Sequence, residues 1–136
     1  MTRRYLLDTN AMSDSINKRR GVDVKVQEAR RRGIVIGTCE PVVGELFYGA
    51  ENSATRDANL NQLRVGLLGV KVWPFDRRAA EEFGRLRAEL RRNGRPMGII
   101  DIQLAAVALT LGNCTVVTTD SDLSAVPGLA VENWAV

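Results

Sequence analysis

The chain has 136 residues, of which 45% are apolar and 26% charged, a composition typical of one folded domain. It contains no histidine, which excludes histidine acid–base catalysis, Ser-His-Asp and Cys-His nucleophiles, and His-ligated zinc. The formal net charge is +3, and of the 19 basic side chains three are Lys and the others Arg. Since Arg matches phosphate oxygens better than Lys does, this imbalance weakly favours an anionic partner such as a nucleic acid, although solvated helix faces explain many of these residues equally well.

No apolar run approaches the roughly 20 residues that a membrane span needs, and the first residues show no signal-peptide pattern. We therefore expect a cytoplasmic protein without a membrane partner. Cys39 and Cys114 lie far apart and lack the spacing of metal ligands. We expect both thiols to be small buried hydrophobic groups in a reducing compartment.

Short apolar runs alternate with amphipathic segments along the chain. Buried strands are predicted at 5–7, 34–38, 70–73 and 115–119, and a short final strand at 130–132. A short helix or turn is predicted at 10–17, and helices at 22–32, 41–50, 54–68, 76–93 and 98–111. This alternation predicts an α/β fold, a single three-layer α/β/α domain over residues 1–136 with a central, mostly parallel sheet of short strands.

Four acidic residues lie directly beside apolar runs. Asp8 and Asp120 each follow a predicted buried strand. Asp101 opens the most apolar predicted helix, and Glu45 lies within an apolar helix face. Because ligands bind beyond the carboxyl ends of parallel strands, we expect one acidic cluster at that edge of the sheet. Clustered carboxylates cannot all stay ionised without compensation, and hard oxygen ligands suit Mg²⁺ or Mn²⁺, which can activate water for phosphodiester cleavage.

Each acid also has an ordinary structural interpretation. Asp8 and Asp101 are good N-cap residues for the helices that follow them, and Asp120 fits a turn or a cap. Glu45 faces solvent if the phase of its helix shifts by one residue. These interpretations are reasonable one by one, but together they leave unexplained why every one of the four acids adjoins an apolar run.

Four ordered motifs and a tail resemble those of PIN-domain ribonucleases, in particular the VapC-type toxins of bacterial toxin–antitoxin pairs. The motifs lie at 6–10, 43–50, 94–106 and 117–123, and the tail at 126–129 and 132–134. A lone Asp-Thr-Asn triplet would be a weak signal, but the ordered set covers essentially the whole chain. One small departure is Leu123, at a position where the family often has Phe.

The resemblance implies a metal-dependent endoribonuclease that hydrolyses RNA phosphodiester bonds with one or two Mg²⁺ or Mn²⁺ ions. Its catalytic and metal-binding positions correspond to Asp8, Glu45, Asp101 and Asp120. Asn10 and Thr118 match polar positions that support the acids. Asp122 is a second acid near the fourth motif, and we prefer Asp120 for the site because it directly follows the predicted strand.

The resemblance also implies a homodimer and a small antitoxin whose C-terminal segment covers the active site, in heterotetramers or larger assemblies. Candidate contacts with RNA phosphates are Arg85, Arg91 and Arg95, together with Arg87 and Arg92, although a solvated helix face explains these side chains as well. Trp73 and Trp134 could stack on bases, but packing is the favoured explanation. The leucines at 60, 63, 67 and 68 fit either the core or a contact with a second copy or the antitoxin.

Two other functions stay open. The first is a phosphoacceptor receiver domain or an aspartate phosphatase, which also place Asp at strand ends. The phosphatase needs a second Asp where Asn10 stands, and the receiver needs a Lys beyond a late strand, whereas Lys71 precedes Trp73. The second is a catalytically silent PIN-fold binding module that holds a metal and an antitoxin partner.

Overall fold

A computed structural model describes residues 2–136 of the chain. Five strands in these residues form one sheet. They are β1 Arg4–Leu7, β2 Val35–Cys39, β3 Lys71–Trp73, β4 Cys114–Val117 and β5 Ala130–Glu132. Their order across the sheet is β3-β2-β1-β4-β5, and every neighbouring pair is parallel. The predicted mostly parallel sheet is therefore parallel throughout the described residues.

The connections between the strands are helical. Within residues 2–136 they are α1 Thr9–Ile16, α2 Val22–Arg31, α3 Glu40–Glu51, α4 Arg56–Leu67, α5 Arg77–Arg92, α6 Ile99–Leu111 and a 3₁₀ helix, Ser121–Ala125. Parallel strands joined by right-handed crossovers place α1 to α4 on one face of the sheet and α5 and α6 on the other. The predicted three-layer arrangement follows from this topology, and α2 and α3 pack on β2 while α6 packs on β4 and α5.

The end of β4 differs from its predicted position. β4 pairs with β1 only as far as Leu7 and Val117, because β1 leaves the sheet at Asp8 to begin α1. The prediction that the strand continues to residue 119 is therefore wrong. Asp120 does not directly follow a strand but caps the 3₁₀ helix, an element that the sequence analysis did not predict.

Apolar side chains fill the space between the sheet and its helices. Leu6 and Leu7 of β1 are fully buried, and α6 is buried along most of its length, as its continuous apolar run predicts. Trp73 and Trp134 are also buried, which confirms packing as their role. Among residues 2–136, no helix is both long and apolar enough to cross a membrane.

The leucines of α4 divide between core and surface. Leu60 and Leu63 are buried against α3 in a small apolar cluster with Ala50, whereas Leu68 is 85% exposed. Ordinary core burial therefore accounts for the first two. Leu68, with the exposed Val65 on the same helix, leaves an apolar surface there.

The two cysteines are free thiols. Cys39 is buried as expected, and Cys114 is only partly buried. Burial raises the pKa of each thiol to about 12, so both stay protonated at neutral pH and neither is a good nucleophile or metal ligand.

Gly37 of β2 offers a test of the packing between β2 and β3. A Cβ at this position would lie 2.5 Å from the Trp73 ring and 2.6 Å from the Lys71 carbonyl oxygen. We expect Gly37→Ala to lower the free energy of unfolding by about 2 kcal/mol, because a strand must shift. Gly84→Ala is the control: its Cβ meets no atom within 4 Å on the exposed face of α5, and we expect a gain of about 0.5–1 kcal/mol. The midpoints of urea denaturation measure the stability of both variants. A wild-type midpoint for Gly37→Ala would contradict the close packing of Trp73 and Lys71 on Gly37.

Candidate active site

The candidate site lies at the point where the strand order reverses. From β1, the chain crosses first to β2 on one side of the sheet and later returns as β4 on the other side. Such a switch point leaves a crevice beyond the carboxyl ends of the two central strands, where ligands bind in open α/β sheets. Asp8 follows β1 and Thr118 follows β4, so both residues lie at this crevice.

Asp8 is held from two directions. Its Oδ1 accepts a hydrogen bond from the Ala11 N–H at 2.8 Å, and its Oδ2 accepts one from the Thr118 hydroxyl at 2.5 Å. The carboxylate is buried, with Asp8 only 6% exposed. The N-cap interpretation of Asp8 is therefore correct, but it accounts for only one of the two oxygens.

Thr118 connects two of the candidate acids. Its buried hydroxyl accepts a hydrogen bond from the Asp120 N–H at 2.9 Å while donating to Asp8. Asp120 in turn accepts a hydrogen bond at Oδ1 from the Asp122 N–H. The chain beyond β4 is thereby folded back toward the end of β1.

Helices from the two faces of the sheet supply the other two acids. Gly98 is the N-cap of α6 and Asp101 lies in its first turn, so the alternative interpretation of Asp101 as the cap is wrong. Glu45 is exposed on α3, because the phase of this helix turns Val42 rather than Glu45 into the core. The expectation that Glu45 is embedded in an apolar face is therefore also wrong.

The four acids nevertheless meet in one place. Asp8, Glu45, Asp101 and Asp120 line a single cleft of about 300 Å³. Its other lining residues are Thr9, Asn10, Gly98, Ile99 and Ile100. Of these, the sequence analysis identified only Asn10. The others lie within three residues of Asp8 or Asp101 along the chain, and this proximity is the signal that could have identified them.

The cleft concentrates negative charge. Burial, followed by the charges of Asp120, Asp8 and Glu45, raises the pKa of Asp101 to about 6. Burial also raises the pKa of Asp8, against the hydrogen bonds from Thr118 and Ala11, which lower it. The acids thus repel one another as their clustering predicts.

The donor set of the cleft suits a hard cation, since its titratable groups are all carboxylates. Among residues 2–136, however, no three acidic, cysteine or histidine side chains are gathered into a ready-made metal cage. Asp122 is exposed and does not line the cleft, although its charge also contributes to the raised pKa of Asp101.

The candidate RNA-contacting arginines lie outside the cleft. Arg85 of α5 forms ion pairs with Glu82 and Glu89, as expected of a solvated helix face. Arg91 and Arg95 are exposed and form no ion pair with any residue that the structure describes. Contacts of these three arginines with RNA stay a prediction.

Comparison with known proteins identifies the family. A PIN-domain family model matches residues 5–129. Ribonuclease VapC2 of Rickettsia felis is 30% identical over 131 residues, which covers 96% of this chain and 97% of that protein. The chain belongs to the VapC family of PIN-domain proteins. The tRNA(fMet)-specific endonuclease VapC of Shigella flexneri is 31% identical over 132 residues, or 97% of this chain and 98% of that protein.

Solved structures show the same VapC fold. The chain matches VapBC2 of Rickettsia felis, bound to a promoter DNA fragment, with a TM-score of 0.88 at 28% identity, covering 96% of this chain and 98% of that one. It matches DNA-bound VapBC of Salmonella typhimurium with a TM-score of 0.87 at 29% identity, covering 99% and 100%. The resemblance stated from the four motifs is confirmed, and a receiver domain or an aspartate phosphatase is excluded.

The raised pKa of Asp101 gives a prediction about the metal-free VapC fold. At about pH 3 the carboxyl is protonated in both folded and unfolded chains. As the pH rises through 3.8 toward about 6, the unfolded chain releases this proton first, so folding stability falls, and the loss is complete above about pH 6. We expect Asp101→Asn to be more stable than the wild type above pH 6 by roughly 1–2 kcal/mol, discounted for partial exposure, and nearly equal to it at about pH 3.

Urea denaturation in EDTA, at several pH values, measures this difference. Glu81→Gln, at an exposed position on α5, is the control and should show no pH-dependent gain. The same gain for Asp101→Asn at about pH 3 and about pH 7 would show that its cause is not the ionised carboxylate.

Proposed function

We propose that this protein is a metal-dependent endoribonuclease that acts as the toxin of a cytoplasmic toxin–antitoxin pair. One observation carries the proposal: acids from four separate parts of the chain line a single cleft at the switch point of the sheet. The names of the relatives, ribonuclease VapC2 and tRNA(fMet)-specific endonuclease VapC, support the reaction class.

Mg²⁺ or Mn²⁺ is the cofactor that the oxygen donors favour, and Asp8, Asp101, Asp120 and Glu45 are the residues that would hold it. When bound, such an ion lowers the pKa of a water molecule and stabilises negative charge on phosphate oxygens. Asp8 provides a fixed carboxylate, since Thr118 and Ala11 hold its two oxygens while each oxygen keeps a further lone pair.

Polar groups around the acids have supporting roles. The exposed amide of Asn10 lies at the cleft and can donate a hydrogen bond to a phosphate oxygen. Asp122 adds negative charge beside the cleft without lining it. Arg91 and Arg95 are free to contact RNA phosphates farther along the strand, more so than the ion-paired Arg85.

The proposed partners are single-stranded or structured RNA, a small antitoxin and a second copy of the chain. The solved VapBC complexes support the antitoxin as a partner, and we propose that it and the chain form a heterotetramer or a larger assembly. The exposed apolar side chains of Val65 and Leu68 on α4 suit a contact with the second copy or the antitoxin. The alternative function is a catalytically silent PIN module that holds metal and the antitoxin.

Removing one negative charge from the cleft tests the reaction. We expect Asp8→Asn and Asp101→Asn each to lower RNA cleavage at least about 100-fold, since both residues would lose a ligand oxygen for the cation. Asn at position 8 still caps α1, so the fold should survive. Cleavage of total RNA by purified protein with Mg²⁺ or Mn²⁺, and growth after induction, are the measurements.

Glu81→Gln is the matched control and should cleave as the wild type does. Full cleavage by either aspartate variant would show that the site assignment is wrong. A wild-type protein that gains thermal stability with Mn²⁺ yet leaves every RNA intact would instead favour the silent module.

Thr118 is a positioning residue for Asp8. Thr118→Val removes the hydroxyl that donates to Asp8 and leaves a buried carboxylate oxygen unpaired, which raises the pKa of Asp8 further. We expect cleavage to fall about ten-fold and the pH–rate profile to shift to higher pH, and we expect Thr118→Ser to restore both. The measurement is the initial rate of RNA cleavage as a function of pH. If Thr118→Val has the pH–rate profile of the wild type, Thr118 does not position Asp8.

A further inference from the structure

A second groove adjoins the acidic cleft. It has a volume of about 330 Å³ and lies between α1, α3 and α4. Thr9, Asn10 and Glu45 line both the groove and the cleft, so the groove opens directly from the acids. If the bond to be cleaved lies at the acids, the part of the substrate next to that bond can bind in the groove.

The walls of the groove carry amide and hydroxyl side chains. On α1, Asn10, Ser13 and Asn17 lie on one helix face and extend roughly 10 Å away from the acids. On α4, Asn59 and Gln62 face the same space. The amide nitrogens of Asn17 and Asn59 donate to Ser13 and Ser53, whereas the side chain of Gln62 forms no hydrogen bond with any other residue among 2–136 and keeps both its donors and its acceptor.

Aliphatic side chains and one cation also line the groove. Ile16, Leu46, Ala50 and Leu63 present aliphatic surface inside the groove. Arg19, from the loop between α1 and α2, lies beside Asn17. Among the described lining residues, Glu45 is the one acid, and it stands where the groove meets the cleft.

The loop that carries Arg19 has an unusual backbone. Lys18 and Arg20, on either side of Arg19, have φ values of 55° and 56°, in the left-handed region that non-glycine residues rarely adopt. Hydrogen bonds hold this conformation: the Arg19 N–H donates to the Asp14 carbonyl at 2.7 Å, and the Val136 N–H donates to the Arg20 carbonyl at 2.9 Å. Strained backbone of this kind often occurs at ligand sites.

We propose that the groove binds the unpaired base and the adjoining phosphate of the nucleotide next to the cleaved bond in single-stranded RNA. Amides read base edges, an aliphatic surface accepts the face of a base, and a guanidinium matches a phosphate. The groove presents all three kinds of group next to the acidic cleft. The inference rests on the proposed ribonuclease function and makes the groove the source of its base preference.

Binding without cleavage tests the groove separately from the reaction. The probes are fluorescein-labelled single-stranded homopolymers of A, C, G and U, and fluorescence anisotropy is measured in EDTA so that the RNA stays intact. We expect the wild type to prefer one base. Gln62→Ala and Arg19→Ala should each weaken binding of that polymer about five-fold, the effect of one lost hydrogen bond or phosphate contact. Gln62→Ala should also reduce the preference among bases.

Matched controls are available in the chain. Gln27→Ala on α2 and Arg20→Ala in the same loop remove equivalent exposed side chains that do not line the groove, and both should bind as the wild type does. Gly49→Leu fills the groove, because Gly49 lines it and a Cβ there meets no atom within 4 Å. It should abolish the base preference, whereas Gly84→Leu on α5 should preserve it.

Three results would overturn the proposal: no base preference in the wild type, unchanged affinity and preference in all groove variants, or equal losses in the controls. If the groove variants bind RNA normally but lose a co-expressed antitoxin, the groove is a peptide site instead. The proposed ribonuclease function fails on a different result, the absence of RNA cleavage with metal present, so the two failures are distinguishable.

Discussion

The hydrogen bond between Thr118 and Asp8 is the contact on which the site depends. It joins residues 110 positions apart, each placed by the end of a central strand. A carboxylate as buried as Asp8 is costly unless hydrogen bonds replace its lost hydration. The parallel register, which sets Leu7 beside Val117, brings the hydroxyl to the carboxylate and allows the acid to stay at the crevice.

Local capping explains only half of the acidic cluster. Asp8 and Asp120 both accept hydrogen bonds from nearby backbone N–H groups, as any capping aspartate does. The carboxylates of Asp101 and Glu45 accept no hydrogen bond from another residue among 2–136, yet both residues line the same cleft, where the Glu45 charge helps to raise the pKa of Asp101. Folding stability gains nothing from this arrangement, and sites that lower stability in this way are typically retained for function.

The sequence predicts those features that depend on short-range pattern. Most strand and helix bounds agree to within two residues, because β-branched runs and helical periodicity report local burial. The rule for parallel sheets also brings Asp8 and Asp120 to one edge. Within that margin β4 ends two residues before its predicted end, because its pairing stops where β1 leaves the sheet. The exposure of Glu45 was mispredicted because it depends on how α3 is rotated, which is not a local property.

The groove beside the acids lay beyond sequence reasoning for a related reason. Its walls come from α1, α3 and α4, and their amides look like ordinary solvated side chains until the helices are placed together. Strand register fixes Asp8 at the end of β1, whereas Gln62 on α4 and Asn17 at the end of α1 can change without moving a strand. The fold matches that of VapBC2 at a TM-score of 0.88 with 28% identity, so most side chains can differ while the sheet is kept. The proposed base preference, which rests on helix side chains, can therefore change while the acids at the sheet stay in place.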